Sequence, residues 1–292
     1  MSDQRKALLF GLAAVLAWST VATAFKLTLR HIDFIQLLWL ANVFSLGALG
    51  LVLAVQKKLG LLLRVSGPQL RLACALGFLN PFLYYLILFK GYDLLPAQVA
   101  QPLNFTWALM LAYLSVPLLG QKLRARDVTA GLVCYTGVVV ISTGGDVTSF
   151  RFADPLGLVL ILITTVIWAL YWIGNTRSTV DPVTGLFIGF AFSLPLITAV
   201  TAVFSDFRFP AAGWWGGAYA GCIEMGFTFV LWLTAMKLTT STARIANLIF
   251  ISPFLSLVFI QFVLDEPVRP ATFIGLILIV AGLWWQGRRE KP

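Results

Sequence analysis

Long uninterrupted runs of apolar residues recur from one end of the chain to the other. A helix needs roughly 20 residues to cross about 30 Å of hydrocarbon. Runs such as LGLVLILITTVIWAL are apolar on every face, whereas the strands of a membrane β-barrel alternate apolar and polar positions. The pattern therefore predicts an all-α membrane protein with ten transmembrane helices. The predicted helices span residues 7–29, 34–55, 70–89, 96–118, 128–142, 155–173, 183–204, 214–236, 244–264 and 271–286.

Composition and charge agree with this pattern. Of 292 residues, 59% are apolar and 11% are charged, while an ordinary soluble domain carries roughly 25% charged residues. With the N-terminus in the cytoplasm, fifteen of the twenty-one Lys and Arg residues fall on the side of the termini, and the other six are Lys26, Arg30, Lys90, Arg151, Arg208 and Arg269. This bias predicts that both termini are cytoplasmic and explains the net charge of +9 without a nucleic-acid partner.

The two halves of the chain share a pattern at a nearly constant offset. Trp18 in LAWSTVATAFK matches Trp168 in VIWALYWIGN, and an FSL triplet occurs at residues 44–46 and again at 192–194. Because each half holds five helices, an odd number, the second half would enter the membrane from the opposite side. Inverted repeats of this kind are typical of secondary transporters that work by alternating access. We predict two inverted five-helix units, residues 1–145 and 146–292.

Three tryptophans lie unusually deep in the predicted helices. Trp18, Trp107 and Trp168 are eleven to thirteen residues into a span, which places them roughly 17 to 20 Å deep at 1.5 Å per residue. A buried indole N–H needs a partner or a wet cavity, and transporters bind their substrates at the midplane between repeats. We expect these rings to line a central cavity, although rings that only fill space between helices would give the same pattern. Tyr84, Tyr85, Tyr171 and Trp172 extend this aromatic supply.

Polar groups and prolines interrupt several apolar helices. Gln101 and Asn104 flank Pro102 in the fourth helix, Asn42 lies in the second, and Asn247 precedes Pro253 in the ninth. These amides would either bind substrate or form interhelical hydrogen bonds, which are worth about 0.6 kcal/mol on average in membrane proteins. Pro102, Pro195 and Pro253 are candidate bending points, because neighbouring helices can satisfy the carbonyls that a proline frees.

Glu224 is the one carboxylate placed well inside a predicted span. Burying a charge at that depth costs at least about 2.5 kcal/mol on insertion scales. It would therefore carry a coupling proton, pair with a substrate ammonium, or stay protonated and bond to a neighbouring helix. Lys26, near the outer end of the first helix, would attract a substrate carboxylate or extend its ammonium group toward the interface.

No cofactor is predicted. The three cysteines fall inside predicted spans without CxxC spacing, and His31 is the only histidine, so neither a disulfide framework nor a metal site is indicated. The STGGD segment lacks the GxxxxGK[ST] pattern of an ATP-binding loop. The expected partners are a small-molecule substrate and the lipid bilayer. The oligomeric state is left open, a monomer included.

The segments AWSTVATAFK, TVIWALYWIGN and TARIANLIFISPFLSLVFIQFVLDEPVRPATFIGLILIVAG resemble a known family, the EamA branch of the drug/metabolite transporter superfamily. Pro253 and Glu266 stand at the family's mid-helix proline and loop glutamate. The first half departs from the family pattern, since Trp107 lies where the family has a proline and Gln121 replaces a glutamate. Within the family the chain resembles exporters of aromatic amino acids, which implies efflux of aromatic and other neutral amino acids across the bacterial inner membrane from a central cavity.

The leading hypothesis is therefore a secondary exporter of amino acids or related metabolites. A second is proton-coupled efflux of drugs or sugars with Glu224 as the proton carrier. A membrane-embedded enzyme or receptor would need a cluster of His, Asp or Glu at midplane depth, or a sizeable soluble signalling domain, and the sequence has neither.

Overall fold

The computed structural model describes residues 3–122, 124–146, 154–239, 245 and 247–287, and these residues form helices and short connections with no strand among them. The ten main helices are α1 Asp3–Leu29, α2 Phe34–Val55, α3 Gly67–Leu94, α4 Ala97–Leu119, α5 Ala125–Ser142, α6 Pro155–Asn175, α7 Pro182–Phe204, α8 Ala211–Leu238, α9 Ser252–Val263 and α10 Pro270–Gly287. The helices α1 to α8 are each long and apolar enough to cross a membrane, and α9 and α10 are shorter apolar helices. The prediction of an all-α membrane protein is confirmed.

Short polar segments start several helices. The Asp33 carboxylate accepts the N–H groups of Ile35 and Gln36 at 2.8 and 2.9 Å and so caps α2. Asp154 caps α6 through the N–H of Gly157 at 2.8 Å. Such caps satisfy N–H groups that have no partner inside the helix.

Asp181 combines a cap with an ion pair at the start of α7. Its carboxylate accepts the N–H of Thr184 at 3.2 Å and lies 2.7 Å from the ammonium group of Lys58. Burial alone would raise the pKa of Asp181, but the hydrogen bonds from Lys58 and Thr184 outweigh it and hold the pKa below its usual value. The pair ties the segment between α2 and α3 to the beginning of α7.

Two helices contain π-helical stretches, which the sequence pattern does not predict. In α3 the stretch is Phe78–Leu83, where Asn80 leaves helical geometry beside Pro81. In α8 it is Ala220–Phe227, which includes Glu224. A π-helical turn holds one extra residue and changes which side chains share a face with those beyond it. Single π-turns of this kind occur frequently at functional sites.

The prolines proposed as bending points differ in what they do. The α-helical geometry of α4 is interrupted at Phe105 and Thr106, just after Pro102. In contrast, α7 continues through Pro195 without a break. Pro253 lies in the first turn of α9, where a missing N–H leaves no helical bond unmade. Within the ninth predicted span, 244–264, residue 245 is helical, residues 247–251 form a 3-10 turn, and α9 continues from Ser252 to Val263.

Glycines allow the closest helix contacts. A side chain added at Gly77 in α3 would meet the backbone of Gly189 in α7 at 2.6 Å, and one added at Gly137 in α5 would meet the carbonyl oxygen of Gly275 in α10 at 2.5 Å. In a bilayer, helices associate through such close packing because lipid tails are as apolar as the side chains. Large apolar side chains face outward, with Phe262 79% exposed and Leu16 54% exposed.

Candidate functional site

A central cavity of about 210 Å³ lies between α1, α3, α4, α6, α8 and the start of α9. None of its described lining residues comes from α2, α5, α7 or α10. The lining residues are Trp18, Val21, Phe25, Tyr84, Leu88, Tyr92, Gln101, Asn104, Phe105, Trp107, Trp168, Trp172, Glu224, Phe229, Trp232, Ile249 and Ser252. The cavity is therefore lined by aromatic rings with a few polar groups among them, which is the usual make-up of a small-molecule site.

Eight of the residues predicted from the sequence line this cavity. They are Trp18, Tyr84, Gln101, Asn104, Trp107, Trp168, Trp172 and Glu224. Asn42, Tyr85, Tyr171 and Lys26 are not among the lining residues. The side chain of Asn247 lies outside the described part of the chain.

Trp168 is the centre of the aromatic wall. Its ring lies 4.6 Å from that of Tyr84 and 6.4 Å from that of Trp107, which it meets edge to face. On α8, Phe229 lies 6.1 Å from Trp168 and 5.7 Å from Trp18. Paired rings at these separations are worth about 0.5 to 1.5 kcal/mol each beyond their buried area. The contacts link α1, α3, α4, α6 and α8 into one wall.

Glu224 presents one carboxylate oxygen without a partner. Its Oε1 accepts the hydroxyl of Tyr85 at 3.2 Å, and the Trp18 indole lies beside the carboxylate as well. Its Oε2 is buried and has no hydrogen-bond partner. An unsatisfied buried polar atom is costly, so this oxygen is available to a bound solute.

The two cavity amides are already partly used between helices. The Tyr92 hydroxyl donates to Oε1 of Gln101 at 2.6 Å. Asn104 accepts the Tyr84 hydroxyl at 3.3 Å and donates to the Thr164 hydroxyl at 3.0 Å. Both amides therefore hold the cavity wall together as well as facing the cavity.

Three predicted residues lie behind the wall. Tyr85 is 1% exposed and reaches Glu224 from outside the cavity, while Tyr171 stacks on Trp168 at 5.4 Å. Asn42 is fully buried and donates to the carbonyl of Phe190 at 3.2 Å, so it joins α2 to α7. Adjacent positions on a helix are about 100° apart, and here Tyr84 faces the cavity while Tyr85 does not line it.

Lys26 is turned away from the cavity. Its ammonium group donates to the carbonyls of Tyr92 at 2.8 Å and Leu95 at 3.1 Å, at the C-terminal end of α3. These carbonyls have no partner inside the helix, and the end of a helix attracts positive charge. Lys26 therefore completes the end of α3.

Phe229 and Trp232 line the cavity but were not predicted from the sequence. A regular α-helix would place residue 228 on the face of Glu224. The π-helical stretch Ala220–Phe227 closes bonds five residues apart instead of four, so Phe229 takes that face and Thr228 is buried in the wall. Only this irregularity reveals the two rings.

A second cluster, which we call the clasp, lies where α4 and α10 begin and consists of Gln98, Glu266, Arg269 and Thr272. Glu266 accepts the N–H groups of Ala97 and Gln98 at 3.3 and 3.2 Å and so caps α4. Oε1 of Gln98 accepts the N–H of Arg269 at 2.9 Å and the hydroxyl of Thr272 at 3.0 Å. The clasp joins the start of α4 to the start of α10.

An aromatic cavity between membrane-crossing helices is the arrangement of a membrane transporter of small solutes. The sequence model of the EamA-like transporter family matches residues 5–143 and again residues 155–286. The chain belongs to this family.

Relatives of this chain are bacterial transporters. It is 28% identical over 241 residues to the aromatic amino acid exporter YddG of Ancylobacter novellus, covering 80% of this chain and 81% of that protein. It is 26% identical over 219 residues to the uncharacterized transporter YvbV of Bacillus subtilis, covering 73% and 70%. A solved crystal structure of a protein that is 24% identical has the same fold, with a TM-score of 0.65 over 96% of both chains.

Proposed function

We propose that this protein is a secondary exporter of aromatic and other neutral amino acids, or of closely related metabolites. The observation that carries the proposal is the central cavity, in which aromatic rings surround one carboxylate and two amides. Rings provide a surface for an apolar side group, and the polar groups are placed to bind an amino-acid head group. The relative named an aromatic amino acid exporter supports the same substrate class.

The test is a flux assay with the full chain reconstituted in liposomes. Labelled phenylalanine or threonine should cross vesicles that contain the protein much faster than empty vesicles. Excess unlabelled substrate should suppress this flux, because one cavity serves all solutes. Flux equal to that of empty vesicles for every amino acid would remove the substrate assignment.

The proposed mechanism is alternating exposure of the cavity by two inverted five-helix units, residues 1–145 and 146–292. The match of one family model to each half supports this division. The distribution of basic residues supports an orientation with both termini in the cytoplasm, and the bacterial transporters among the relatives support a bacterial inner-membrane protein. In that orientation the clasp lies on the periplasmic side, and it has to open for release.

Weakening the clasp should therefore favour the state that is open to the periplasm. Gln98→Ala removes three side-chain hydrogen bonds, to Pro267, Arg269 and Thr272. Each such bond is worth about 0.5 to 1.5 kcal/mol. The readout is a cysteine placed at the cavity by Phe105→Cys, which is labelled with an impermeant thiol reagent added outside intact cells. Labelling should be about tenfold faster with the Gln98→Ala change than without it, as expected if the closed state loses about 1.4 kcal/mol of stability.

The matched control is Lys90→Ala. Lys90 forms an ion pair with Asp93 at 2.8 Å near the same end of the bundle, and the two side chains are 35% and 38% exposed. Exposed pairs of this kind contribute little, so labelling at residue 105 should not change. Equal labelling rates with and without the Gln98→Ala change would reject the role of the clasp as a gate.

A further inference from the structure

The charge of the cavity lining points to one class of solute. Among the seventeen described lining residues, ten are aromatic, one is a carboxylate, and none is a lysine, arginine or histidine. Among these residues, a solute that fills the cavity meets one carboxyl group and many ring faces. Ring faces carry negative charge density and attract cations.

The carboxylate itself has room for a cationic partner. Oε2 of Glu224 is buried without a hydrogen-bond partner, and Tyr85 supplies only a neutral hydroxyl to Oε1. An ammonium group can pair with the ionised form of the carboxyl group and supply N–H donors for Oε2, so that neither charge is buried without a partner.

The basic residue nearest to the cavity wall on α1 does not serve a solute carboxylate. The ammonium group of Lys26 is held by the carbonyls of Tyr92 and Leu95, and the carboxylates that attract it are those of Glu266 and Asp93. Among the described lining residues, a solute carboxylate would find neutral donors only. Transfer of an ionised carboxylate from water into such a site is unfavourable.

We propose that the cavity selects monocationic amines with an aromatic or apolar body, ahead of zwitterionic amino acids of the same shape. This inference rests on the proposed function, because it takes the central cavity as the transport site. Glu224 is the residue that determines the preference. The surrounding rings add cation–π attraction, and the Trp18 indole lies beside the carboxylate.

The experiment measures binding, because small neutral amines cross bilayers without a carrier. Purified full-length protein in detergent is titrated at pH 7 with 2-phenylethylamine, phenylalanine and 3-phenylpropionate, and the heat of binding gives each affinity. The amine should bind at least about tenfold more tightly than phenylalanine, and 3-phenylpropionate should bind more weakly than both. Glu224→Gln should remove the preference for the amine, while Glu224→Asp should retain part of it.

A neutral probe separates a lost charge from a misfolded site. In Glu224→Gln, 2-phenylethanol should bind as it does to the native protein, because its binding uses the rings alone. If phenylalanine binds as tightly as the amine, or if Glu224→Gln leaves the order of affinities unchanged, the inference is rejected. If phenylalanine is transported in that case, the proposed function still stands, whereas failure of every probe to bind or be transported would reject both.

Discussion

Replacing Trp168 by alanine should lower the initial rate of phenylalanine counterflow by at least about tenfold. The ring of Trp168 contacts Tyr84, Trp107 and Phe229 in the cavity wall. Its loss removes a face of the cavity and three pairs worth about 0.5 to 1.5 kcal/mol each. A loss of about 1.4 kcal/mol corresponds to a factor of ten in affinity. The lost contact with the solute and the loosened wall together account for a counterflow rate about tenfold lower.

Two further variants show whether the effect arises at the cavity. Trp168→Phe retains a ring and should recover much of the rate. Trp215→Ala removes an indole that is 78% exposed on the outer surface and should leave the rate unchanged. The thermal midpoint of each purified variant is measured in parallel, because removing a large buried ring also destabilises a fold. A native counterflow rate in Trp168→Ala would show that this cavity is not the transport site.

Replacing Gly77 by alanine should markedly lower the thermal stability of the fold. The added Cβ would meet the Cα and the carbonyl oxygen of Gly189 at 2.6 Å. Both neighbours are backbone atoms, so α3 and α7 have to move apart. Inserting a methyl group into a packed interior costs typically about 1 to 3 kcal/mol, and Ser193, which donates to the carbonyl of Gly77 at 2.8 Å, would lose part of its bonding.

The measurement is the fraction of protein that stays monodisperse after heating in detergent to a series of temperatures. The midpoint of this curve is compared between variants. Gly47→Ala is the matched control, because it adds the same methyl group inside α2 with nothing within 4 Å. Alanine is also the better helix former, so the midpoint of this control should stay the same or rise slightly. Equal midpoints for the two variants would contradict the close contact between α3 and α7.

The positions of the helices could be predicted from the sequence because the bilayer sets a minimum length for an apolar run. The ends of the helices were harder to predict, because polar residues extend a helix beyond its apolar part. The third helix continues past residue 89 to Leu94, where Lys90 and Asp93 pair on its surface. The ninth predicted span contains a 3-10 turn at residues 247–251, which hydrophobicity does not reveal.

The candidate site was predicted in part. Depth along a helix identified Trp18, Trp107 and Trp168 as midplane residues, and all three line the cavity. Depth alone does not specify direction around the helix axis, so it could not separate Tyr84 from Tyr85. Nor could it show that Glu266 and Gln98, 168 residues apart, form the clasp.

The sequence by itself determined that the chain is a bundle of apolar helices with aromatic, amide and carboxylate groups at midplane depth, because transfer into hydrocarbon depends on each segment's own composition. Only the tertiary structure decided which of these groups share one cavity. The rotation of each helix and the extra residue in a π-helical turn set the direction of every side chain, and both depend on packing between segments that are distant in the chain.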